Sequence, residues 1–526
     1  MRTKAAIIVG VLGTAFVSGG WLLQRGLSTH GTRVDGARLF NDVRDRVKHL
    51  YVDSVPDSSL YEKALIGMLQ ELHDPHTMYL KPDRVNRLEE RISGNYAGIG
   101  AQIDNRDRWA TVIGTLPGSP AERIGLRSGD RIVEIDKKST RGLTTDESIR
   151  AIRGEPGTSV LLQIERPGAA APILLTVRRD EIHRKAVGRA SLLSEGVGYL
   201  DLNVFSDSAE IELSRGIDSL RALGMTSLIL DMRQNPGGIL TRGVGVADLF
   251  LDPNEPIVSI RGRVEGANQE FADVAPQKWP NLLLVVLVDE GSASASEIVA
   301  GALQDHDRAL VVGRPTFGKG SAQSLFPTSA GGALRLTIAR WYTPLGRSID
   351  RPRIPPPEAD TLAPGKPRGK SFTTTHGRKV YGGGGITPDV FAGDTLFAPA
   401  EQAFEVALGN RVSDFRDAMT AEALRLKTAG AVRSPDFAVT PAMRDALWHA
   451  LAKRGFTFDR STYDGASNLV SRLFAREIAR YVFGPVAESQ RAIADDQVIS
   501  LAAELLRGAG TTEALLKRGS ERGSAK

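Results

Sequence analysis

The chain has 526 residues, of which 41% are hydrophobic and 25% are charged, and its formal net charge is +5. This length is too great for one hydrophobic core, and the ordinary composition argues against wholesale disorder. The small net charge, spread over the whole chain, argues against a nucleic-acid partner. Cysteine is absent, which excludes thiol nucleophiles, cysteine zinc sites and disulfides.

Residues 1–25 have the pattern of a targeting segment. Arg2 and Lys4 precede an uncharged run at residues 5–23, which is long enough to cross a thin bilayer. No clear A-x-A cleavage site follows, so an uncleaved signal-anchor is favoured over a removed signal peptide. Either form exports the bulk of the chain. The segment therefore predicts an extracytoplasmic protein, periplasmic or in the cell envelope, and leaves inner-membrane attachment open.

Residues 26–93 form a predicted N-terminal helical region. Charged and apolar positions alternate with helical period between residues 37 and 92, which indicates amphipathic helices in a structural or dimerising subdomain. A homo-oligomer is therefore left open. His73 and His76 have the spacing of metal ligands, but Pro75 ends any helix that would align the two rings. No metal site is predicted.

Short strands and turns replace this helical period at residues 94–181. Gly98-Ile99-Gly100 precedes a strand, and Ser119-Pro120 has the pattern of a helix N-cap followed by proline in the first turn. The segment resembles a PDZ domain. That resemblance implies a loop, Gly98, Ile99 and Gly100, whose backbone N–H groups receive a peptide's terminal carboxylate. The next strand would offer an edge for β-augmentation.

Residues 182–397 alternate buried strands with amphipathic helices, which predicts an α/β core. One apolar strand ends just before Ser292, Ser294 and Ser296, which lead into a helix. A hydroxyl at such a junction lies near backbone N–H groups that no helical partner uses. Lys319 follows in a tight turn between two glycines, where desolvation disfavours the ammonium. Together these features predict a serine nucleophile with a lysine base, although the pattern does not choose among the three serines.

Other interpretations of this stretch are weaker. Residues 313–319 fit the first seven positions of a phosphate-binding loop, but Gly320 stands where magnesium binding needs Ser or Thr. No G-x-S-x-G nucleophile elbow surrounds the serines, and His306 is interpreted as a solvated residue at a helix end. The plainest alternative is that the small residues only permit close helix packing.

The motifs S-A-S-A-S-E, Q-D and T-F-G-K-G-x-x-Q between residues 292 and 323 resemble the C-terminal processing peptidases, serine–lysine endopeptidases that carry a PDZ domain. The alignment has no gap. The resemblance implies that Ser294 is the nucleophile, that Lys319 is the base and that Gln323 orients the lysine. Glu297 and Asp305 match charged positions of the family pattern and are interpreted as structural.

A second motif, R-x-N-x-G-G at residues 233–238, follows another buried strand. Paired glycines let the backbone approach a ligand closely. The resemblance implies that an amide of Gly237 or Gly238 forms the oxyanion hole with the amide of Ala295, and the two glycines remain alternatives. The sequence LHDPHTMYL around His73 also resembles a family signature, which argues further against a metal there.

The rest of the chain carries fewer signals. Segments 343–349 and 382–390 match the closing motifs of the family, and the basic, proline-rich segment 351–379 between them is predicted to be a flexible surface insertion. Residues 398–526 are predicted to be a C-terminal helical region. The resemblance is weak there, and the pattern defines no role for it.

The sequence therefore predicts a multidomain α+β protein: an α/β protease core of the crotonase or ClpP-like kind, a β-rich PDZ domain, and helical N- and C-terminal regions. Its predicted function is a serine endopeptidase that cleaves exported proteins and recognises exposed C-terminal tails, with no cofactor and no metal. The alternative is a non-enzymatic PDZ adaptor on a protease-derived fold, which predicts a broken nucleophile or base. A crotonase-like acyl-CoA enzyme is disfavoured by the inserted PDZ domain.

Overall fold

The computed structural model describes residues 35–329, 331–351, 369–393 and 398–524. The predicted targeting segment at residues 1–25 lies outside these ranges, as do residues 352–368 of the predicted insertion. Within the described ranges, no helix combines the length and the apolar character needed to cross a membrane. The chain divides into two compact units, one ending at Tyr79 and the other beginning at Leu80.

The first unit contains the predicted N-terminal helices, α1 (Gly36–Leu50) and α2 (Asp57–Gln70). The Asp35 carboxylate caps α1 by accepting a hydrogen bond from the Ala37 N–H at 3.2 Å. Phe40 and Tyr61 pack ring against ring between the two helices. Further apolar side chains of both helices are exposed, among them Leu39, Val43, Leu50 and Met68. A short strand, β1 (Met78–Leu80), follows.

The second unit opens with α3 (Pro82–Ser93) and a β-rich domain. The strands of this domain are β2 (Asn95–Gly98), β3 (Ala101–Arg106), β4 (Trp109–Thr115), β5 (Arg131–Ile135), β6 (Lys138–Ser139), β7 (Ser159–Glu165), β8 (Ile173–Arg178) and β9 (Asp180–His183). One antiparallel sheet has the order β3–β4–β5–β7–β8, with β6 on β5, and β2 pairs with β9. Strand β3 is therefore an edge strand of its sheet.

Two short helices, α4 (Pro120–Arg123) and α5 (Thr145–Ile152), close the apolar core of this domain. The predicted N-cap of α4 is present, because the Ser119 hydroxyl accepts from the Glu122 N–H at 3.3 Å. Thr144 and Glu147 form a capping box at the start of α5. Alternate side chains of the strands, such as Val112, Ile132 and Leu162, are fully buried beneath these helices.

The part of the unit that follows this domain contains two further sheets. Its strands are β10 (Val187–Leu192), β11 (Val197–Leu202), β12 (Ser227–Asp231), β13 (Pro256–Gly262), β14 (Gln269–Ala272), β15 (Leu283–Val288), β16 (Leu310–Gly313), β17 (Ser321–Pro327), β18 (Ala333–Tyr342), β19 (Ser371–Thr373), β20 (Lys379–Tyr381) and β21 (Val390–Phe391). The main sheet has the order β10–β11–β12–β15–β16–β21 and is parallel except for β10. In a second sheet β18 lies between β17 and β13, and β13 pairs with β14.

The remaining helices are α6 (Ala209–Ala222), α7 (Leu240–Asp248), α8 (Ala295–Asp305), α9 (Pro399–Leu408), α10 (Val412–Thr428), α11 (Pro441–Lys453), α12 (Arg460–Gly465), α13 (Ser467–Val482), α14 (Pro485–Ala494), α15 (Gln497–Arg507) and α16 (Thr512–Ser524). Helices α6, α7 and α8 cover one face of the main sheet and share its larger core cluster. The mixed fold and its helical terminal regions agree with the fold class predicted from the sequence.

The opposite face of the main sheet is covered by α15 and α16, the core-covering helices. Ile499, Ala502 and Leu506 of α15 pack in one cluster with Ile229 and Val285 of the sheet. The sequence predicted that the protease core ends at residue 397. In the structure the sheet also packs against residues beyond that boundary, because a parallel sheet needs both faces buried and residues near the end of the chain supply the second layer.

Helices α9–α13 form a separate cluster, the PDZ-facing bundle, around aromatic residues such as Phe404 and Phe415. The bundle packs against the turn between β3 and β4. The Asp107 carboxylate pairs with the Arg454 guanidinium at 2.6 and 3.1 Å, and the Asp107 N–H donates to the Asp417 carboxylate at 3.0 Å. The predicted PDZ domain is thus held by the first half of the C-terminal region.

Part of the predicted flexible insertion at residues 351–379 is ordered. Strands β19 and β20 pair antiparallel, and the Arg378 guanidinium pairs with the buried carboxylate of Asp307 at 2.5 Å and with that of Asp389 at 2.8 Å. The sequence missed this hairpin because its order comes from distant acidic partners rather than from apolar periodicity. Residues 369–379 thus include one strand of a hairpin and the connection to the other, which the sequence did not predict.

Candidate active site

The candidate nucleophile lies where β15 leads into α8. Ser294 precedes the first helical residue and has φ 57° and ψ −113°. A positive φ is costly for a residue with a Cβ atom and persists only where the surroundings impose it. In this conformation Ser294 is half-buried.

The three candidate serines have different environments. Ser292 and Ser296 are fully buried, and each hydroxyl donates to a backbone carbonyl, that of Met232 at 2.8 Å and that of Asn235 at 2.9 Å. These two hydroxyls tie the nucleophile turn to the turn after β12. Of the three hydroxyls, the one on Ser294 has the most access to solvent. The geometry therefore favours Ser294 on grounds that the sequence pattern could not supply.

Glu297 joins the serine turn to the lysine turn. One carboxylate oxygen accepts from the Ser294 N–H at 2.8 Å and from the Lys319 N–H at 3.0 Å. The other accepts from the Gly318 N–H at 2.7 Å and from the Thr316 hydroxyl at 2.6 Å. Complete burial raises the pKa of Glu297, while the hydrogen bonds that it accepts act in the opposite direction. A residue interpreted as structural from the sequence thus links both candidate catalytic residues.

Lys319 lies half-buried in a turn with several further restraints. Its carbonyl accepts from the Trp341 indole N–H at 3.1 Å. The Gly320 N–H donates to the Asp350 carboxylate at 3.1 Å, and the Phe317 N–H donates to the Ser292 carbonyl at 3.0 Å. The backbone of the lysine turn is consequently fixed against the serine turn and the second sheet.

Gln323 lies four residues beyond the lysine, on β17. Its side-chain amide donates to the hydroxyl of Ser321 at 2.8 Å and to that of Thr337 at 3.4 Å. The register of β17 against β18 shifts between Ala322 and Gln323. Such a bulge changes the direction of the side chains that follow it. The predicted role of Gln323 in orienting Lys319 stays a prediction.

Asn235 organises the candidate oxyanion turn. Its carbonyl accepts from the Ala293 N–H at 3.0 Å, and its side chain donates to the Leu202 carbonyl at 2.6 Å. Its side-chain oxygen accepts from the Gly237 N–H at 2.9 Å. Sequence reasoning assigned no role to Asn235, although its place in R-x-N-x-G-G was the available signal.

Of the oxyanion donors predicted from the sequence, Ala295 directly follows Ser294 and Gly237 lies against the nucleophile turn. A Cβ atom on Gly237 would lie 2.9 Å from the Ser294 Cβ, so only glycine permits this approach. The Gly237 N–H is already held by Asn235. Among the described residues, the amides of Gly238 and Ala295 donate to no acceptor. Of the two glycines left open by the sequence, the geometry therefore favours Gly238 as the partner of Ala295.

The far end of α8 is fixed by buried polar groups. The Asp305 carboxylate pairs with the Arg347 guanidinium, both with no exposed side-chain surface, and accepts from the Leu345 N–H at 3.0 Å. Burial lowers the pKa of Arg347, while the charge of Asp305 opposes that shift. The His306 ring contacts the Pro256 carbonyl at 2.7 Å and is only 15% exposed, so its interpretation as a solvated residue is wrong.

The candidate peptide-binding loop, Gly98, Ile99 and Gly100, lies between β2 and β3. The Ile99 side chain is buried in the domain core, and Gly100 has φ +73° with no room for a Cβ beside Ser119. The Ile99 carbonyl accepts from the Ala121 N–H, and the Gly100 carbonyl accepts from the Leu116 N–H, each at 2.9 Å. In the described part of the chain, the amides of Ile99 and Gly100 have no acceptor. This arrangement can receive an anion beside the open edge of β3.

Within the described ranges, no group of three or more His, Asp or Glu side chains is placed to hold a metal ion. The geometry that the residues do provide is a half-exposed hydroxyl, a nearby lysine turn and two backbone amides without acceptors. This set can carry out acyl transfer without a bound ion.

Comparisons with known proteins agree with this chemistry. A model of peptidase family S41 matches residues 196–358, and a PDZ domain model matches residues 112–166. The carboxy-terminal-processing protease of Bartonella bacilliformis is 35% identical over 389 residues, covering 72% of this chain and 88% of its own. The carboxy-terminal processing protease CtpA of Bacillus subtilis is 31% identical over 353 residues, covering 67% of this chain and 74% of its own.

Among solved structures, the photosystem II D1 C-terminal processing protease is 26% identical and covers 68% of this chain and 94% of its own, with a TM-score of 0.37. A crystal structure of the PDZ domain of a carboxy-terminal protease from Vibrio cholerae, in complex with a peptide, is also 26% identical. It covers 17% of this chain and 98% of its own, with a TM-score of 0.16.

Proposed function

The chain belongs to peptidase family S41 and is a serine-type peptidase with a PDZ domain, and from that premise we propose that it is an endopeptidase that cleaves exported proteins at a Ser294–Lys319 site after its PDZ domain has bound their C-terminal tails. The observation that carries the proposal is the buried Glu297 carboxylate, one oxygen of which accepts from the N–H groups of both residues. This shared acceptor holds the two turns side by side.

The proposed reaction is acyl transfer through a covalent intermediate. The Ser294 hydroxyl attacks the scissile carbonyl while neutral Lys319 accepts its proton. The amides of Gly238 and Ala295 stabilise the negative charge on the carbonyl oxygen. Lys319 then returns the proton to the leaving amine. In the second half a water molecule gives a proton to Lys319 and attacks the acyl carbonyl, the bond to the Ser294 oxygen breaks, and the lysine returns the proton to that oxygen. Gln323 is proposed to orient the lysine.

Tail recognition is proposed for the loop Gly98, Ile99 and Gly100. Among the residues that the structure describes, the amides of Ile99 and Gly100 have no acceptor, so they provide donors for a terminal carboxylate, and β3 offers its edge to the tail as an added strand. The substrates are then proteins or peptides with exposed C-termini. The residue pattern at positions 1–25 supports an extracytoplasmic site of action, and association with the inner membrane and with further copies of the chain remains part of the proposal.

The test is cleavage of an unfolded protein with an apolar C-terminal tail. Ser294→Ala and Lys319→Ala should each lower kcat by at least about a thousandfold while the protein stays folded. Ser292→Ala and Ser296→Ala are the comparison variants: each removes a hydroxyl that ties the two turns together but leaves the proposed nucleophile in place, so in folded protein each should lower kcat far less than Ser294→Ala. Cleavage that persists in Ser294→Ala or Lys319→Ala would place the nucleophile or the base elsewhere. Tail binding without any cleavage by the wild type would support the adaptor alternative.

The lysine base also predicts the pH dependence. Protonation of Lys319 removes the base, so kcat should fall on acidification and rise as the pH increases. The profile is measured with a short peptide at constant ionic strength. A rate that rises only above about pH 10, where an unperturbed lysine loses its proton, would contradict a base made neutral by its surroundings.

Amidation of the substrate tail tests the PDZ proposal separately. An amidated tail lacks the terminal charge, so it should raise KM with little change in kcat. Equal KM values for free and amidated tails would show that the loop at residues 98–100 does not bind the carboxylate.

A further inference from the structure

The oxyanion turn is attached to the C-terminal region through one side chain. Arg233 directly follows Met232, the first residue beyond the end of β12. Its guanidinium lies between two carboxylates. It bonds Asp231 through Nε at 3.0 and 3.1 Å and through Nη2 at 2.6 Å. The same Nη2 atom lies 3.0 Å from a carboxylate oxygen of Asp496. The first residue of the R-x-N-x-G-G motif is therefore paired with Asp496, which lies 263 residues later in the chain.

The inner half of this link belongs to the main sheet. Asp231 is the last residue of β12, its carboxylate is 5% exposed, and it also accepts from the Tyr199 hydroxyl at 2.9 Å. Burial by itself would lower the pKa of the Arg233 guanidinium, but the hydrogen bonds and charges of Asp231 and Asp496 outweigh burial and raise it. The guanidinium is thus a permanently charged bridge rather than a titrating group.

The outer half belongs to the core-covering helices. Asp496 is the N-cap residue of α15, and one of its oxygens accepts from the N–H groups of Val498 at 2.9 Å and Ile499 at 3.0 Å. The other oxygen remains for Arg233. Because α15 is packed into the sheet by buried side chains, its N-terminus is a fixed point. Asp496 accordingly offers Arg233 a carboxylate that cannot move with the turn.

The short segment that connects Arg233 to the oxyanion donors is also restrained. The next residue, Gln234, has φ 58° and is held by the Asp289 carboxylate through its N–H at 2.9 Å and its side-chain amide at 2.7 Å. Asn235 follows and fixes the Gly237 N–H. Each residue between Arg233 and Gly238 thus has few conformations open to it. A rotation of the Arg233 backbone would be transmitted to the Gly238 amide.

We infer that Asp496 is a positioning residue for the peptidase reaction, because it fixes Arg233 and, through it, the turn that presents the Gly238 amide to the oxyanion. This inference rests on the proposed function. Asp231 anchors the guanidinium to the sheet, and Asp496 sets the direction of its outer edge, since Nη2 contacts both carboxylates. The C-terminal region therefore completes the catalytic site as well as the core.

The test separates this role from helix capping. Asp496→Ser keeps a good N-cap for α15 but removes the carboxylate from Arg233. It should lower kcat for a short peptide by about tenfold, less than the loss of an oxyanion donor outright, with KM unchanged. Labelling of Ser294 by a serine-reactive fluorophosphonate should slow by the same factor, because the phosphoryl oxygen uses the same donors.

The matched control is Thr511→Ala. The Thr511 hydroxyl accepts from the Ala514 N–H at 3.2 Å at the start of α16, whereas the Arg233 guanidinium pairs with Asp231 and Asp496. Its loss should lower the melting temperature while kcat and the labelling rate stay at wild-type values. Asp496→Asn retains both a cap and an acceptor and should recover much of the rate lost in Asp496→Ser.

Three outcomes would overturn the inference: wild-type kcat in Asp496→Ser, an equal loss of kcat in Thr511→Ala, or a loss in Asp496→Ser that appears only in KM. Failure of the proposed function would give a different result. In that case Ser294→Ala would still cleave the peptide, and the fluorophosphonate would not label Ser294 in the wild type.

Discussion

The two halves of the C-terminal helical region have similar helical sequences but bind different partners. The PDZ-facing bundle has its own aromatic core, and its outer surface holds the PDZ domain through charged groups at Asp107 and Arg454. The core-covering helices bury aliphatic side chains directly against the main sheet. One half is therefore a docking platform for the PDZ domain, whereas the other half is a layer of the catalytic core.

The difference between the two halves can be tested by removing one apolar side chain from each. Leu506→Ala in α15 and Leu447→Ala in α11 both empty fully or nearly fully buried positions and should each cost about 2–5 kcal/mol of local stability. Only Leu506→Ala should lower the temperature at which Ser294 loses its fluorophosphonate labelling. Calorimetry and residual labelling after heating check this. Equal shifts in both variants would mean that the two halves unfold as one unit with the core.

The contact between the bundle and the PDZ domain can be weakened without touching either core. Asp107→Ala removes the pair with Arg454, in which both side chains are about one-third exposed, and should cost about 1 kcal/mol. Hydrogen exchange should accelerate at the turn between β3 and β4, while exchange in β12 and β15 stays unchanged.

Asp180→Ala is the control for this variant, because the Asp180–Arg123 pair lies in the same domain but is well exposed and far from the bundle in sequence. It should leave exchange at the turn unaltered. Unchanged exchange in Asp107→Ala as well would show that apolar packing, such as Leu424 against Gly129, holds the domain without help from the ion pair.

The smallest expected change in stability comes from the ionisation of Asp417, the bundle residue that accepts from the Asp107 N–H. Burial raises the pKa of Asp417, that hydrogen bond opposes the shift, and the charge of Asp107 adds to it. The folded state therefore favours the protonated form, so the contribution of this group to stability is fully present below about pH 4 and is lost as the pH rises through its folded pKa.

Asp417→Asn mimics the protonated form at every pH and keeps an acceptor for the Asp107 N–H. It should stabilise the protein by about 0.5–1 kcal/mol at pH 7.5 and by less at pH 4.5, as measured by urea unfolding. Asp414→Asn, on the same helix but half-exposed, serves as the control. A gain of the same size at both pH values would contradict the assignment of the effect to Asp417 ionisation.

The fold class and the motifs were predictable because they are local. A buried strand, a helix N-cap and a glycine turn each occupy a few consecutive residues. What the sequence left open depended on distant partners. Ser292 and Ser296 differ from Ser294 because their hydroxyls donate to the carbonyls of Met232 and Asn235. Gly237 differs from Gly238 because its N–H donates to the Asn235 side chain.

The same reason explains two features of the structure that the sequence did not reveal. The hairpin of β19 and β20 is ordered by Arg378 on Asp307 and Asp389, residues that no periodicity connects. The core boundary at residue 397 followed from the end of the recognisable motifs. The second layer of the sheet is made of amphipathic helices about a hundred residues further on, and their apolar stripe does not reveal which surface it covers.

The shared carboxylate of Glu297 limits how such an enzyme can be switched off. Withdrawing the lysine turn alone would strip this fully buried group of the Lys319, Gly318 and Thr316 donors, at about 1.5–3 kcal/mol for each charge-assisted bond. A resting form that separates the two turns is therefore expensive to populate. Control is cheaper at the level of chain entry, where moving the PDZ domain breaks its contacts with the bundle, such as Asp107 with Arg454 and Leu424 against Gly129, and leaves the chemical machinery assembled.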